Sequence, residues 1–382
     1  MTAAPPLLNT DAATRQSLAH GPLGIALLHI ERARQGTGSW QSVHRQLAGI
    51  GPLIDAGEAS LFLGAPAMAY VLHLAAADTG RYTSALHTLD RIVATHTLRR
   101  LDVAHARIDK GEPTSFTEYD LLRGLTGLGA LLLRRAPESA ELKGVLEYLV
   151  RLTEPLPRPD GRTLPGWWVW HSPVNLSAPT PGGHANAGLA HGITGPLALL
   201  ALAKLRGITV PGHQEAMQRI CRWLDRIRHS DRHGTCWPRW VTATASIPTH
   251  PGVPSWCYGT PGLARAQQLT ALALGDAPRK RMAERALLYC LADPLQLDQL
   301  TDRGLCHGVC GLLRVVQRVA EDADKPDAFT NHLAQLRECF LTAGPPAETG
   351  FLEGAAGAVL AFQDAEAGTA PASDWDACLL LI

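Results

Sequence analysis

The stretch Ser255-Trp256-Cys257-Tyr258-Gly259-Thr260-Pro261-Gly262 and its counterpart Leu305-Cys306-His307-Gly308-Val309-Cys310-Gly311 decide how this chain is read. In each, a cysteine stands two residues before a glycine, and that glycine opens an apolar run of helical character. Working outward, the same phrase recurs without its cysteine. It is found at Gly21 (His20-Gly21-Pro22-Leu23-Gly24), Gly64 (Leu63-Gly64-Ala65-Pro66-Ala67), Gly124 (Arg123-Gly124-Leu125-Thr126-Gly127), Gly192 (Ala190-His191-Gly192-Ile193-Thr194-Gly195) and Gly354 (Glu353-Gly354-Ala355-Ala356-Gly357). Successive glycines are 43, 60, 68, 67, 49 and 46 residues apart.

A spacing of about 45 residues holds two helices and two turns, the unit of a helical-hairpin repeat. Prolines at 22, 66, 196 and 261 fall one to four residues after a repeat glycine. A first-turn proline is tolerated because the N–H it lacks has no helical partner there. The glycine itself is expected to supply a positive φ in the turn and a close approach of chains. Amphipathic stretches at 81–94, 137–153, 213–228 and 278–291 lie between the motifs and predict outer helices with polar backs. The motif helices are apolar nearly all round, 197–203 most clearly, and predict inner, buried helices. Seven such hairpins cannot bury both faces as an open stack, so the expected fold is all-α, an α/α toroid. It takes the 382 residues as one domain, with loop insertions near 154–187 and 229–256. The aromatics of 167–170 in the first insertion predict either a substrate wall or a lid on the core.

Composition narrows the partners. The chain is 46% hydrophobic and 18% charged, with 35 basic against 35 acidic residues. That balance gives no field to attract nucleic acid or a membrane surface. The longest apolar run, 195–203, is far shorter than the roughly 20 residues a membrane-spanning helix needs. Residues 1–15 show no basic start followed by an apolar stretch, and the eight cysteines are scattered rather than framed as a disulfide scaffold. The expected compartment is the cytoplasm.

Aligning the seven glycines sorts the chemistry. Two residues before them stand Ala19, Phe62, Leu122, Ala190, Cys257, Cys306 and Leu352. One residue before stand His20, Leu63, Arg123, His191, Tyr258, His307 and Glu353. In a closed ring these positions share one rim, at the N-terminal mouths of the inner helices, and Asp120 belongs to the same end. Two thiolates and an imidazole suit zinc, and three protein ligands with an open fourth position form the catalytic pattern. Helix N-termini further favour thiolates. A lone cysteine is more often a buried filler, but two at one repeat phase beside a histidine reverse that reading. Cys310 reads as core, and Cys221, Cys290, Cys339 and Cys378 read as packing. His233 and Cys236 have ligand-like spacing without a second pair, and His20 reads as a cap or core residue.

Trp256-Cys257-Tyr258-Gly259-Thr260-Pro261-Gly262, Cys306-His307-Gly308, Gly188-Leu189-Ala190-His191-Gly192 and Phe351-Leu352-Glu353-Gly354 resemble the motifs of the lanthionine synthetase C family, the cyclases of lanthipeptide biosynthesis. The likeness covers nearly the whole chain and is to the stand-alone cyclase rather than to a bifunctional synthetase. It implies one Zn²⁺ held by Cys257, Cys306 and His307. It further implies His191 as acid/base with Asp120 as its acidic neighbour, and Tyr258 beside the first cysteine. The implied reaction adds a peptide cysteine thiol across dehydroalanine or dehydrobutyrine in the same precursor, closing a thioether ring. The implied partners are the dehydrated precursor peptide and a lanthipeptide dehydratase. Where the family has an arginine four residues before the first cysteine, this chain has Val253, and Arg232 or Arg239 is a candidate substitute. Ala67 replaces a second motif glycine. Competing readings are addition of an external thiol such as glutathione, a non-catalytic zinc-containing peptide-binding scaffold, and a toroidal glycoside hydrolase using Asp120 and Glu353.

Overall fold

The computed structural model describes residues 10–54, 57, 59–76, 80–158, 161–173, 176–231, 234–243 and 252–382. Arg232, His233 and part of the second insertion lie outside these residues. Seven helices begin at or just after the repeat glycines: α1 (Pro22–Arg34), α2 (Ala65–Ala76), α3 (Leu125–Arg135), α4 (Thr194–Leu205), α5 (Thr260–Leu274), α6 (Val309–Glu321) and α7 (Ala355–Ala367). Each packs on the next, and α7 packs back on α1, so the circle is closed. The expected toroid is observed. Every residue of α4 from Thr194 to Ala203 is buried, which explains its lack of a polar face.

Six of these helices are followed by an outer helix: Trp40–Leu47, Thr83–Asp109, Ala140–Leu152, His213–Ile227, Ala277–Ala292 and Thr330–Ala343. The helix predicted over 81–94 runs on to Asp109 because neither glycine nor proline interrupts it. After α7 the chain turns inward instead. The 3₁₀ turn Trp375–Leu379 and the residues up to Leu381 sit buried in the middle of the ring. Tyr70 donates its hydroxyl to Trp375 O (2.9 Å), Trp256 Nε1 donates to Leu379 O (3.0 Å) and Arg265 Nε donates to Leu381 O (2.9 Å). Asp376 accepts from Arg314 Nε (2.8 Å) and Arg318 Nη2 (2.9 Å). Against the cost of complete burial, those two guanidiniums hold the Asp376 carboxyl well below its usual range.

Main-chain hydrogen bonds stitch the segments that precede the repeat glycines. Leu18 N donates to Phe62 O (3.0 Å), Leu121 N to Ala190 O (3.1 Å), Ala190 N to Cys257 O (3.2 Å) and Cys257 N to Cys306 O (3.3 Å). Cys306 N donates to Leu352 O (2.8 Å), and Leu352 N returns to Ala19 O (3.1 Å). These bonds fix one rim and bring residues far apart in sequence side by side.

Of the two reasons expected for the glycines, close approach is the one most of them show. Gly21, Gly124, Gly259, Gly308 and Gly354 all have extended backbone with negative φ, and among the repeat glycines only Gly64 is left-handed, at φ +73. What the position requires is space. A Cβ at Gly124, Gly192, Gly259, Gly308 or Gly354 would overlap the main-chain nitrogen four residues earlier, at Asp120, Gly188, Ser255, Gly304 and Gly350. The second motif glycine is tight for a related reason, since a Cβ at Gly262 or Gly311 would overlap the carbonyl oxygen of Trp256 or Leu305. The repeat that carries Ala67 is also the one whose turn is left-handed.

The two insertions meet in one antiparallel sheet of β1 (Val169–His171), β2 (Pro179–Asn186) and β3 (Trp240–Thr242), in the order β1-β2-β3. Its register pairs Val169 with His184 and Asn186 with Trp240. Trp167 and Trp168 are buried, Trp167 edge-on to Trp223, while Trp170 and His171 remain half-exposed. The start of the aromatic run therefore packs as a lid on the core. Among the described residues no helix is long and apolar enough to cross a membrane.

Candidate metal centre

Cys257, Cys306 and His307 end the turns into α5 and α6, two neighbouring links of the stitched rim. One ligand atom from each, two Sγ and an imidazole nitrogen, lies within 4.8 Å of the others. Two ligands about 2.3 Å from a shared zinc at the tetrahedral angle lie about 3.8 Å apart, so the three can reach one ion with little movement. The donor types fit zinc as well: soft thiolate plus imidazole, with space for a fourth ligand. Cys257 is buried, Cys306 is half-buried and the His307 side chain is 45% exposed, so the open side faces solvent at His307.

The thiols are already polarised. The hydrogen bond from Cys306 holds the Cys257 thiol well below its ordinary value, with His307 and Ser255 adding to it against the cost of burial. Cys306, the proton donor of that pair, is pushed up correspondingly. His307 is raised, first by its hydrogen bond with Cys257 and further by Asp302 and Glu353. The Cys306 bond and His307 thus favour the thiolate form of Cys257, the form that binds a cation.

Beside this cluster, the segment before α4 delivers His191, because Leu189 N and Ala190 N both donate to Cys257 O (2.9 and 3.2 Å). His191 Nδ1 lies 2.7 Å from Asp120 Oδ2. Asp120 is fully buried, and its Oδ1 accepts from Arg123 N (2.6 Å) and Gly124 N (2.9 Å) at the start of α3. A carboxylate so anchored accepts the Nδ1 proton and leaves Nε2 as the working nitrogen. The His191 side chain is 27% exposed, so that nitrogen can reach a substrate. Phe116 stacks on its ring at 5.9 Å and 23°, and Tyr258 flanks it at 6.0 Å. Burial raises the Tyr258 pKa against the bond its OH accepts from Asn186 Nδ2 at 3.3 Å, so it stays a neutral phenol.

All six expected site residues therefore stand on adjacent links of one rim. Sequence reading missed their surroundings: Phe116, Asn186, His184, Trp240 and Ser255. Ser255 Oγ accepts from Tyr258 N (3.3 Å) and sits 3.7 Å from Cys257 Sγ. Its place in the quoted stretch was the available signal. Phe116, Asn186, His184 and Trp240 come from segments without a repeat phase, so nothing in the sequence aligned them. Arg239, one candidate for the missing arginine, packs its Nε 3.4 Å from where a Cβ on Gly252 would be, next to Val253. Cys310 is core as expected. Cys339, expected to pack, is exposed, because the outer helix Thr330–Ala343 buries only Leu336 and Phe340. His20, expected as cap or core, is exposed as well. Glu353 is exposed and Asp120 is committed to His191, which removes the paired free carboxyls a glycoside hydrolase requires.

The chain covers 96% of its length in a superposition on a solved structure titled nisin cyclase, with a TM-score of 0.80 and 22% identity over 92% of that structure. It is 26% identical over 320 residues to the nisin biosynthesis protein NisC of Lactococcus lactis subsp. lactis, covering 79% of this chain and 72% of that protein. Residues 12–380 match the family described as lanthionine synthetase C-like protein. With the ring, the rim and this match over nearly its whole length, the chain belongs to the lanthionine synthetase C-like family.

Proposed function

We propose that this protein is a lanthipeptide cyclase that closes thioether rings in a dehydrated precursor peptide. The observation that carries the reading is the meeting of two donor sets on one rim: two thiols and an imidazole within 4.8 Å, and the Asp120–His191 pair on the adjoining link. Zinc held by Cys257, Cys306 and His307 would supply a Lewis acid that lowers the pKa of a peptide cysteine and keeps it nucleophilic near neutral pH.

The remaining work falls to the chain's own residues. When the sulfur bonds to the β-carbon of dehydroalanine, the π electrons move toward the amide oxygen and leave an enolate. His191, its tautomer fixed by Asp120, delivers a proton to the α-carbon from Nε2 and regains one as the next thiol ionises. Phe116 and Tyr258 hold that ring between them, and Trp240 stands edge-on to Tyr258 at 6.4 Å, so the substrate meets an apolar wall. Arg239 stands in for the family's arginine beside Val253. Zinc dependence, the dehydratase as partner and a cytoplasmic setting belong to this reading.

The test combines metal content with product mass. The parent should carry about one zinc per chain, as one three-ligand site requires. With a dehydrated peptide it should consume thiols without changing peptide mass. A mass increase equal to glutathione would establish external-thiol addition instead. Zinc without thiol loss would reduce the protein to a scaffold.

A further inference from the structure

The opposite rim of the ring, where the inner helices end, carries a different cluster. Arg34 of α1, His73 of α2, Arg134 of α3 and Arg206 at the end of α4 line a hollow of about 270 Å³ together with Ser373 and Asp374. Three guanidiniums face one carboxylate. Arg134 pairs with Asp374, while Glu31 behind the hollow is committed to Ala372 N (2.7 Å) and Ser373 N (2.9 Å).

Helix C-termini attract cations, and part of the clustering follows from that. Arg34 Nη1 donates to Leu74 O (3.2 Å) and Arg206 Nη1 to Leu133 O (3.1 Å), each capping the end of a neighbouring inner helix. Capping uses one N–H group of each and fixes both guanidiniums in place. Their other N–H groups have no protein acceptor among the described residues. Asp374 supplies a second, independent sign. It is a non-glycine residue held at φ +54, and it sets its carboxylate on Arg134. The hollow already draws one oxyanion from the chain itself and has donors left for another. Arg206, exposed at the mouth of the hollow, also lies close enough to Arg134 for like-charge repulsion, which an anion between them would relieve.

We propose that this hollow binds a phosphate-class oxyanion, gripped by Arg34, Arg134 and Arg206, on the face of the ring away from the cysteine cluster. Planar guanidiniums match phosphate oxygens two at a time, and three from separate helices surround a tetrahedral anion better than a flat one. Free phosphate and a phosphate monoester share this chemistry. The site is independent of the cyclase reading.

Calorimetric titration of the zinc-loaded protein with inorganic phosphate and with glycerol 3-phosphate, at ionic strength matched with chloride, tests it. One saturable site per chain is expected. Arg206→Gln and, separately, Arg34→Gln should each weaken binding about tenfold or more, the loss of a charge-assisted pair, with zinc content unchanged. Tighter binding of glycerol 3-phosphate would identify an ester as the natural ligand, and tighter binding of phosphate would identify the free ion. No saturable binding of either, or binding unaltered in both variants, would overturn the proposal and leave the arginines as helix caps alone.

Discussion

The first and sixth repeats carry the same histidine at the same place, His20 before Gly21 and His307 before Gly308. Both sit on the stitched rim, yet only one belongs to a candidate metal centre. His20 is preceded by Ala19, which accepts from Leu352, and its side chain is exposed with no thiol on the neighbouring link. His307 is preceded by Cys306 and faces Cys257 on the next link. The fold supplies the position seven times over. Two side chains at the phase one step earlier turn one copy of it into part of a candidate metal centre. A closed ring of equivalent repeats is thus a set of addresses, and function depends on which adjacent addresses are filled together.

Four measurements press on that contrast. The largest effect is expected from Cys306→Ala, which makes the sixth repeat resemble the first. Zinc content should fall from about one per chain to near zero, while helical content by circular dichroism stays. The converse change, Ala19→Cys, should add no second zinc, since a cysteine and a histidine are one ligand short of a site. Retained zinc in Cys306→Ala would place the ion elsewhere.

Next comes His191→Asn, which leaves the thiol cluster intact and removes the proton donor. Cyclisation should slow by about 10²- to 10⁴-fold with zinc unchanged, the usual worth of a positioned acid/base. Equal rates would end the role assigned to the Asp120 pair.

A third histidine separates burial from position. His184 is fully buried, its Nε2 lies 3.0 Å from His171 O, and desolvation pushes its pKa down from 6.5 to about 4. Between those values the unfolded chain takes up a proton that the folded protein refuses, so stability falls as pH drops from 6.5 toward 4. In His184→Gln, which keeps a donor for the carbonyl, melting temperature should fall less steeply over that window. Parallel pH profiles would show that this histidine does not titrate on unfolding.

The smallest effect is expected from Tyr258→Phe. The hydroxyl makes one long bond with Asn186, so the loss should be no more than about tenfold, near the 1.4 kcal/mol of a single neutral hydrogen bond. A loss matching that of His191→Asn would make Tyr258 part of the proton path.

The ring, its inner and outer helices and the six residues around the thiol cluster were legible because each is tied to a glycine with a fixed phase. That glycine is a necessity of the turn, steric at most repeats and conformational at Gly64, and a necessity repeated seven times leaves a visible period. Asn186, His184 and Trp240 were not legible, because the sheet that brings them in has strands of three to eight residues drawn from two separate insertions, and Phe116 comes from a four-residue helix with no repeat phase. Neither was the inward turn of Trp375–Leu379, since an apolar stretch that plugs a ring reads like any other buried segment. Of the two virtues expected of the glycine, room is what most of the turns use, and conformational freedom is needed at Gly64 alone among them.

The bond from Tyr70 to Trp375 spans 305 residues, and the return from Leu352 to Ala19 completes the circle. Each hairpin can form from neighbours alone, within tens of residues. The circle and its plug cannot, because they join the two ends of a long path and must wait for everything between. The hairpins should therefore assemble early and the ring late, with a slow final phase set by chain topology rather than by helix formation. Until that closing step the rim that carries the cysteines and His191 is an open arc, and its full rigidity should come only with the return to Ala19.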